Sequence, residues 1–229
     1  MNAVRILCIE TALSGCSVCL SENEKILAQS VSDATNSASD KLHTLVEEVF
    51  ERSGKKFSDI HAVAVSNGPG SYTGLRIGGA AAKGYAFALQ IPLIALSTLQ
   101  VMAAAAKFRH GLSADAYLPA IDARRNEIFC ALYDNDLNIL IKDAPVILDD
   151  KTQNTFDSNQ KIFLFGSGSQ KLYSAIERPG ISLFTEFEFC SEDMILLALR
   201  AYSTHCFSDP AYTEPNYTKD FYYPSAHSA

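Results

Sequence analysis

The chain has 229 residues, 48% hydrophobic and 20% charged, with a formal charge of −7 from 26 acidic and 19 basic side chains. Such an acidic chain has no general electrostatic pull towards phosphate backbones, so nucleic acid is not expected to bind it unaided. No apolar run approaches the roughly 18 residues of a membrane-spanning helix, and Glu10 interrupts the N-terminus too early for a signal peptide, so a cytoplasmic protein is expected.

In chain order, strand-like runs cover residues 4–10, 15–21 and 25–31, with Glu22-Asn23-Glu24 as a polar turn that makes the last two a hairpin. Cys16 and Cys19 have CxxC spacing, but no second pair completes a zinc site. On a strand their odd offset sends them to opposite faces, and the six cysteines are read as reduced structural thiols. Residues 39–52 place Leu42, Leu45, Val46, Val49 and Phe50 on one face of an amphipathic helix. Ser37 is a candidate N-cap and Gly54 a stop.

Residues 60–66 predict a buried strand, which leads into the stretch Ser66-Asn67-Gly68-Pro69-Gly70-Ser71-Tyr72-Thr73-Gly74-Leu75-Arg76-Ile77-Gly78-Gly79. A helix follows over 77–89. Strand, glycine turn and helix in that order gather backbone N–H groups at a helix N-terminus, which suits an anion or a partner's backbone. The spacing is one residue too long for G-x-G-x-x-G and lacks the Gly-Lys-Ser/Thr ending of a P-loop. Structural tightening of a turn is therefore the competing reading for Gly68, Pro69, Gly70, Ser71 and Thr73.

A strand at 93–96 and a helix over 97–107 complete an α/β lobe, and the polar stretch after Phe108 divides the chain into lobes 1–108 and 109–229. The second half restarts with strands at 117–121 and 127–133, joined by Asp122-Ala123-Arg124-Arg125-Asn126, and residues 143–160 read as loop. A strand at 162–165, Gly166-Ser167-Gly168-Ser169 and a helix to residue 176 echo the unit at 60–89. A final apolar helix over 192–206 and an aromatic tail from Tyr212 close the chain.

Four motifs together resemble one family: Ile6-Leu7-Cys8-Ile9-Glu10-Thr11-Ala12, the signature loop from Gly68 to Gly78, Pro119-Ala120-Ile121-Asp122-Ala123-Arg124-Arg125-Asn126-Glu127, and Glu214-Pro215-Asn216-Tyr217. In length and motif order the chain is similar to the TsaB (YeaZ-type) family of bacterial tRNA threonylcarbamoyladenosine biosynthesis proteins. The resemblance implies a two-lobed actin-like ATPase (ribonuclease H-like) fold with mixed sheets flanked by helices. It implies a non-catalytic subunit beside a catalytic paralogue, TsaD, which transfers threonylcarbamoyl to an adenosine next to the tRNA anticodon, with a small ATPase, TsaE, joining them. Contact with tRNA would come only through the complex, no cofactor is expected, and the chain alone could form a homodimer.

The departures sharpen that expectation. Nucleotide-handling members of the wider fold place Asp at the end of the first strand, where this chain has Glu10. The paralogue's HxxxH metal pair falls at Thr98 and Met102, which cannot replace two imidazoles. Thr218-Lys219 stands where relatives often show Leu-Arg. His43, His61, His110, His205 and His227 form no metal pattern, and Ser71 is not a nucleophile elbow. A nucleotide-binding or hydrolysing enzyme of the actin-like fold is the alternative function.

The docking surface is expected on the two helices flanking the glycine turn: Leu42, His43 and Val46 on the first, and Gly74, Arg76, Gly78 and Ala82 on the second. Gly74, Gly78, Ala82 and Ala86 make a smooth ridge, which either receives a partner helix or packs on the lobe's own sheet. Arg76 either binds an anion beside the loop amides or pairs with an acid across an interface. Arg124 and Arg125 read as the polar tip of a hairpin.

Overall fold

The computed structural model describes residues 3–13, 15–32, 38–149, 152, 160–176 and 179–217. The first sheet contains β1 (Arg5–Glu10), β2 (Ser17–Glu22), β3 (Lys25–Val31), β4 (Ala62–Ser66) and β5 (Leu93–Leu96), in the order β3-β2-β1-β4-β5. The first three strands are antiparallel, and β1, β4 and β5 are parallel. Helix α1 (Ala38–Ser53) leads from β3 towards β4, and α2 (Tyr72–Leu89) crosses from β4 to β5. Gly54 has φ +64°, the left-handed stop expected after α1. Ser37 lies outside the described residues.

After α3 (Thr98–Ala104), which runs on as a short π-helical segment to Arg109, a second sheet repeats the plan. Its strands are β6 (Ala116–Asp122), β7 (Glu127–Asp134), β8 (Ile139–Ile147), β9 (Ile162–Phe165) and β10 (Ile181–Phe184), in the order β10-β9-β6-β7-β8. Read from β8, this is the order of the first sheet, with the same antiparallel and parallel pairs. Helix α4 (Ser169–Ile176) connects β9 to β10 as α2 connects β4 to β5. The echo between the two strand–glycine–helix units is therefore a repeat of whole topology.

The period-2 alternation of the strands builds the layers. From β1, Leu7 and Ile9 face α1 and α2, where Leu42, Leu45, Val46 and Val49 meet Val63, Val65 and Ala82. Ile6 and Cys8 face the other way, into a core shared by both sheets. There α3 and α5 (Ile195–Ser203) supply Leu99, Met102 and Ala198, and the second sheet supplies Tyr117, Tyr133 and Phe165. Leu172 and Ile176 of α4 close the outer face of the second sheet. Cys16 and Cys19 fall into different cores, as their spacing requires.

Three features go beyond the sequence reading. Residues 139–147 form an edge strand, although 143–160 read as loop. β10 was not foreseen. The last helix begins at Ile195 after a short 3-10 turn, and it packs into the shared core, where it meets β1 and β5 of the first sheet. Ser208 adds a bridge to Leu93 on the edge of β5.

Candidate functional site

Glu10 ends β1 with its side chain folded inward, 5% exposed. Its carboxylate accepts the Ala12 N–H at 2.6 Å and the Ser66 hydroxyl. Burial pushes its pKa up from 4.5 to about 7, against the lowering effect of the Ser66 and Ala12 hydrogen bonds. Both oxygens of Glu10 are thus hydrogen-bonded within the chain.

The signature loop packs onto the two residues after Glu10. The Ser71 N–H donates to the Ala12 carbonyl at 2.6 Å, and the Ser71 hydroxyl caps α2 by accepting the Gly74 N–H at 3.2 Å. A Cβ on Gly70 would collide with the Ala12 carbonyl, one on Gly74 with the Thr11 carbonyl, and one on Gly78 with the Thr11 hydroxyl. Gly68, at φ +109°, abuts the carbonyl of Asn216, and Pro69 is buried beside it. Close backbone approach accounts for all four glycines, so the loop is a junction of β1, α2 and the C-terminal segment.

The second lobe repeats the junction. The Gly168 N–H donates to the Ala120 carbonyl at 2.9 Å, and the Ser167 hydroxyl accepts the Asp122 N–H at 3.1 Å. Between the two loops lies a cleft of about 590 Å³ bordered by Gly70, Ser71, Thr73, Asp122, Arg124 and Ser167. Arg124 and Arg125 turn the β6–β7 hairpin with φ of +66° and +50°. Asp122 holds that tip, accepting the Arg124 N–H at 2.8 Å and pairing with Lys171 at 2.9 Å. The Lys171 hydrogen bond holds the Asp122 carboxyl below its ordinary range.

On α1 and α2 the structure separates the expected residues into two groups. Leu42, Val46 and Ala82 are fully buried in the lobe's own core, and Gly74 and Gly78 face Thr11. The ridge that includes them is turned inward, against the sheet and the end of β1, which is the second of the two readings its small residues allowed. His43 and Arg76 are exposed. His43 Nδ1 meets the Tyr85 hydroxyl at 2.9 Å, linking α1 to α2. Arg76 lies over the Tyr72 ring at 4.0 Å and donates from Nε to the Tyr217 hydroxyl at 2.9 Å. The outward line of α2 is instead Arg76, Ala80, Gly84 and Phe87, the last 74% exposed.

Sequence reasoning missed Ser66 as the partner of Glu10, and Tyr72 and Asn216 as parts of the site. The Glu214-Pro215-Asn216-Tyr217 motif was the available signal: the Asn216 N–H donates to the Asn67 carbonyl at 2.7 Å, and its amide reaches Asp143 on β8 at 2.6 Å. Thr98 and Met102, at the metal-pair positions, are fully buried. Among the described residues, no three His, Cys, Asp or Glu side chains are placed to hold a metal ion, and no helix is long and apolar enough to cross a membrane.

Two sheets of one repeated order, each with a glycine loop at the head of a helix, define the two-lobed actin-like, ribonuclease H-like α/β class. YeaZ from Pseudomonas aeruginosa superposes with a TM-score of 0.83 at 25% identity, over 93% of this chain and 99% of that one. The family model described as TsaD: tRNA N6-adenosine threonylcarbamoyltransferase matches residues 28–214. The chain belongs to that family, on its TsaB/YeaZ-type branch. It is 38% identical over 135 residues to the tRNA threonylcarbamoyladenosine biosynthesis protein TsaB of Escherichia coli, a match covering 59% of this chain and 57% of that protein. The Bacillus subtilis protein of the same name is 28% identical over 164 residues, 70% of each chain. The chain thus spans a little over half the length of the first of these curated relatives.

Proposed function

We propose that this chain is a non-catalytic subunit in tRNA threonylcarbamoyladenosine biosynthesis, supporting a catalytic paralogue of the TsaD type in the cytoplasm. The observation that carries this reading is the spent first-lobe site: Glu10 is buried and hydrogen-bonded within the chain, and its glycine loop is packed on Thr11, Ala12 and Asn216. A phosphate cradle needs loop amides that point at a ligand. Here Ser71 gives its N–H to Ala12 and Asn67 gives its own to Leu96. What remains outward is a surface, the exposed sides of α1 and α2 with His43 and Arg76, for docking the paralogue. Alone, the chain could use that surface on a second copy, and a TsaE-type ATPase would join the assembled pair.

The alternative, a nucleotide-handling enzyme, draws on the cleft between the two loops and its Arg124. Two assays separate them. Purified chain and paralogue are mixed and tested for a stable complex and for threonylcarbamoyl transfer to tRNA. The chain alone is tested for ATP turnover. A complex that transfers, with no turnover by the chain alone, supports the subunit. No complex, or turnover by the chain alone, overturns it.

A further inference from the structure

Helix α2 has two charged residues, Arg76 and Lys83, both cations, in a chain of net charge −7. They are seven residues apart, which puts them on one face about 10 Å from each other. Between them Gly79 leaves its Cβ position open, with no heavy atom within 4 Å. Thr213, Glu214, Pro215 and Tyr217 border this gap and line a half-open cavity of about 340 Å³ together with Arg76, Lys83, Val65 and Leu93. This C-terminal segment is fixed at its far end, since Asn216 donates to the Asn67 carbonyl and Asn67 Nδ2 donates to the Glu214 carbonyl at 2.9 Å. Tyr217 takes the Nε edge of Arg76, which leaves the guanidinium's terminal nitrogens as an oriented fork. Among the described residues, neither cation forms an ion pair, with Glu214 or any other acid.

We infer that this cavity receives a single carboxylate side chain of the docking partner, with Arg76 and Lys83 as its ligands and Tyr217 as a positioning residue. The inference rests on the docking reading above. Two cations and Glu214 leave the cavity one net positive charge, which a carboxylate neutralises and a dianionic phosphate exceeds. The cavity borders the outward line of α2, where Ala80 and Gly84 permit close approach and Phe87 stands exposed, so a protein chain laid along α2 delivers the acid.

The test measures the affinity of the full-length chain for the purified paralogue at low and at roughly half-molar salt, with folding checked by circular dichroism. Arg76→Ala and Lys83→Ala should each weaken binding about tenfold at low salt and flatten its salt dependence. Arg76→Lys should recover little, because it restores the charge without the fork. Tyr217→Phe keeps the ring and should cost less, a few-fold. Unchanged affinity in the Arg76 and Lys83 variants overturns the inference while leaving the docking reading intact. So does weaker binding with wild-type salt dependence, which would mark a structural defect. A wild-type chain that binds no paralogue overturns both.

Discussion

Replacing Glu10 by Gln should make stability less dependent on pH. In the folded chain the Glu10 carboxyl is 5% exposed and holds its proton up to about pH 7, whereas the unfolded side chain ionises near 4.5. Below 4.5 the group is protonated in both states and contributes no pH dependence. Between 4.5 and about 7 the unfolded state ionises while the folded state does not, so folding loses ground as pH rises. At about 1.4 kcal/mol per pH unit the full loss is about 3 kcal/mol, and it is complete above the folded pKa. The amide introduced by Glu10→Gln cannot ionise and escapes this loss. Its NH2 group takes the place of the protonated carboxyl's O–H and donates to the Ser66 hydroxyl, which turns to accept, while its carbonyl keeps the Ala12 N–H. The readout is the urea midpoint of both proteins from about pH 4.5 to about pH 8. The two proteins should be similarly stable at the acid end, and the variant should gain on the wild type by about 3 kcal/mol across the range. A stability difference constant across that range would refute the reasoning, because it would mean that Glu10 ionises in the fold as readily as in the unfolded chain.

Gly74→Ala pushes a methyl into the Thr11 carbonyl and should lower stability by roughly 1–3 kcal/mol or more, while Gly84→Ala meets open space and should raise it by up to about 1 kcal/mol; thermal melts of the two variants check both signs. Ala82→Glu buries a charge in the core against Val63 and Val65 and should leave little folded protein, whereas Ala80→Glu, on the exposed side, should fold normally and lose the paralogue; circular dichroism with a pull-down reads each outcome, and a folded Ala82→Glu chain would reverse the assignment of helix faces.

The strands with a buried face were legible because their alternation is strong: residues 4–10, 60–66 and 117–121 each fall within one or two residues of an observed strand. β8 was hidden by its position. It lies at a sheet edge, largely exposed, and carries Lys142, Asp143 and Pro145, residues that suit an edge and read as loop. β10 has four residues and follows Pro179-Gly180, so it shows almost no periodicity. The site was legible as a stretch but not as a geometry. Glu10 and Ser66 are 56 residues apart, and only the parallel pairing of β1 with β4 brings them together. The inward and outward lines of α2 are both rich in small residues, Gly74-Gly78-Ala82-Ala86 and Ala80-Gly84-Ala88. Two positions along a helix is a turn of about 200°, so a phase error of two residues exchanges the faces. Only the position of Thr11 against Gly74 and Gly78 settles which line is buried.

That phase also ties the packing of the loop to the docking role proposed above. Each glycine that could open backbone toward a phosphate instead admits a neighbouring carbonyl or hydroxyl: Asn216 at Gly68, Ala12 at Gly70, Thr11 at Gly74 and Gly78. Those contacts fix the first turns of α2 to the end of β1 on one side and to residues 213–217 on the other. The same segment carries Tyr217 to Arg76 and Asn216 to Asp143 of the second sheet, so the helix is braced by both halves of the molecule. A helix held this way loses little freedom when a partner lands on it, and less of the contact energy goes to ordering it. In the first lobe, the packing of the glycine loop thus holds the start of α2 rigidly in place.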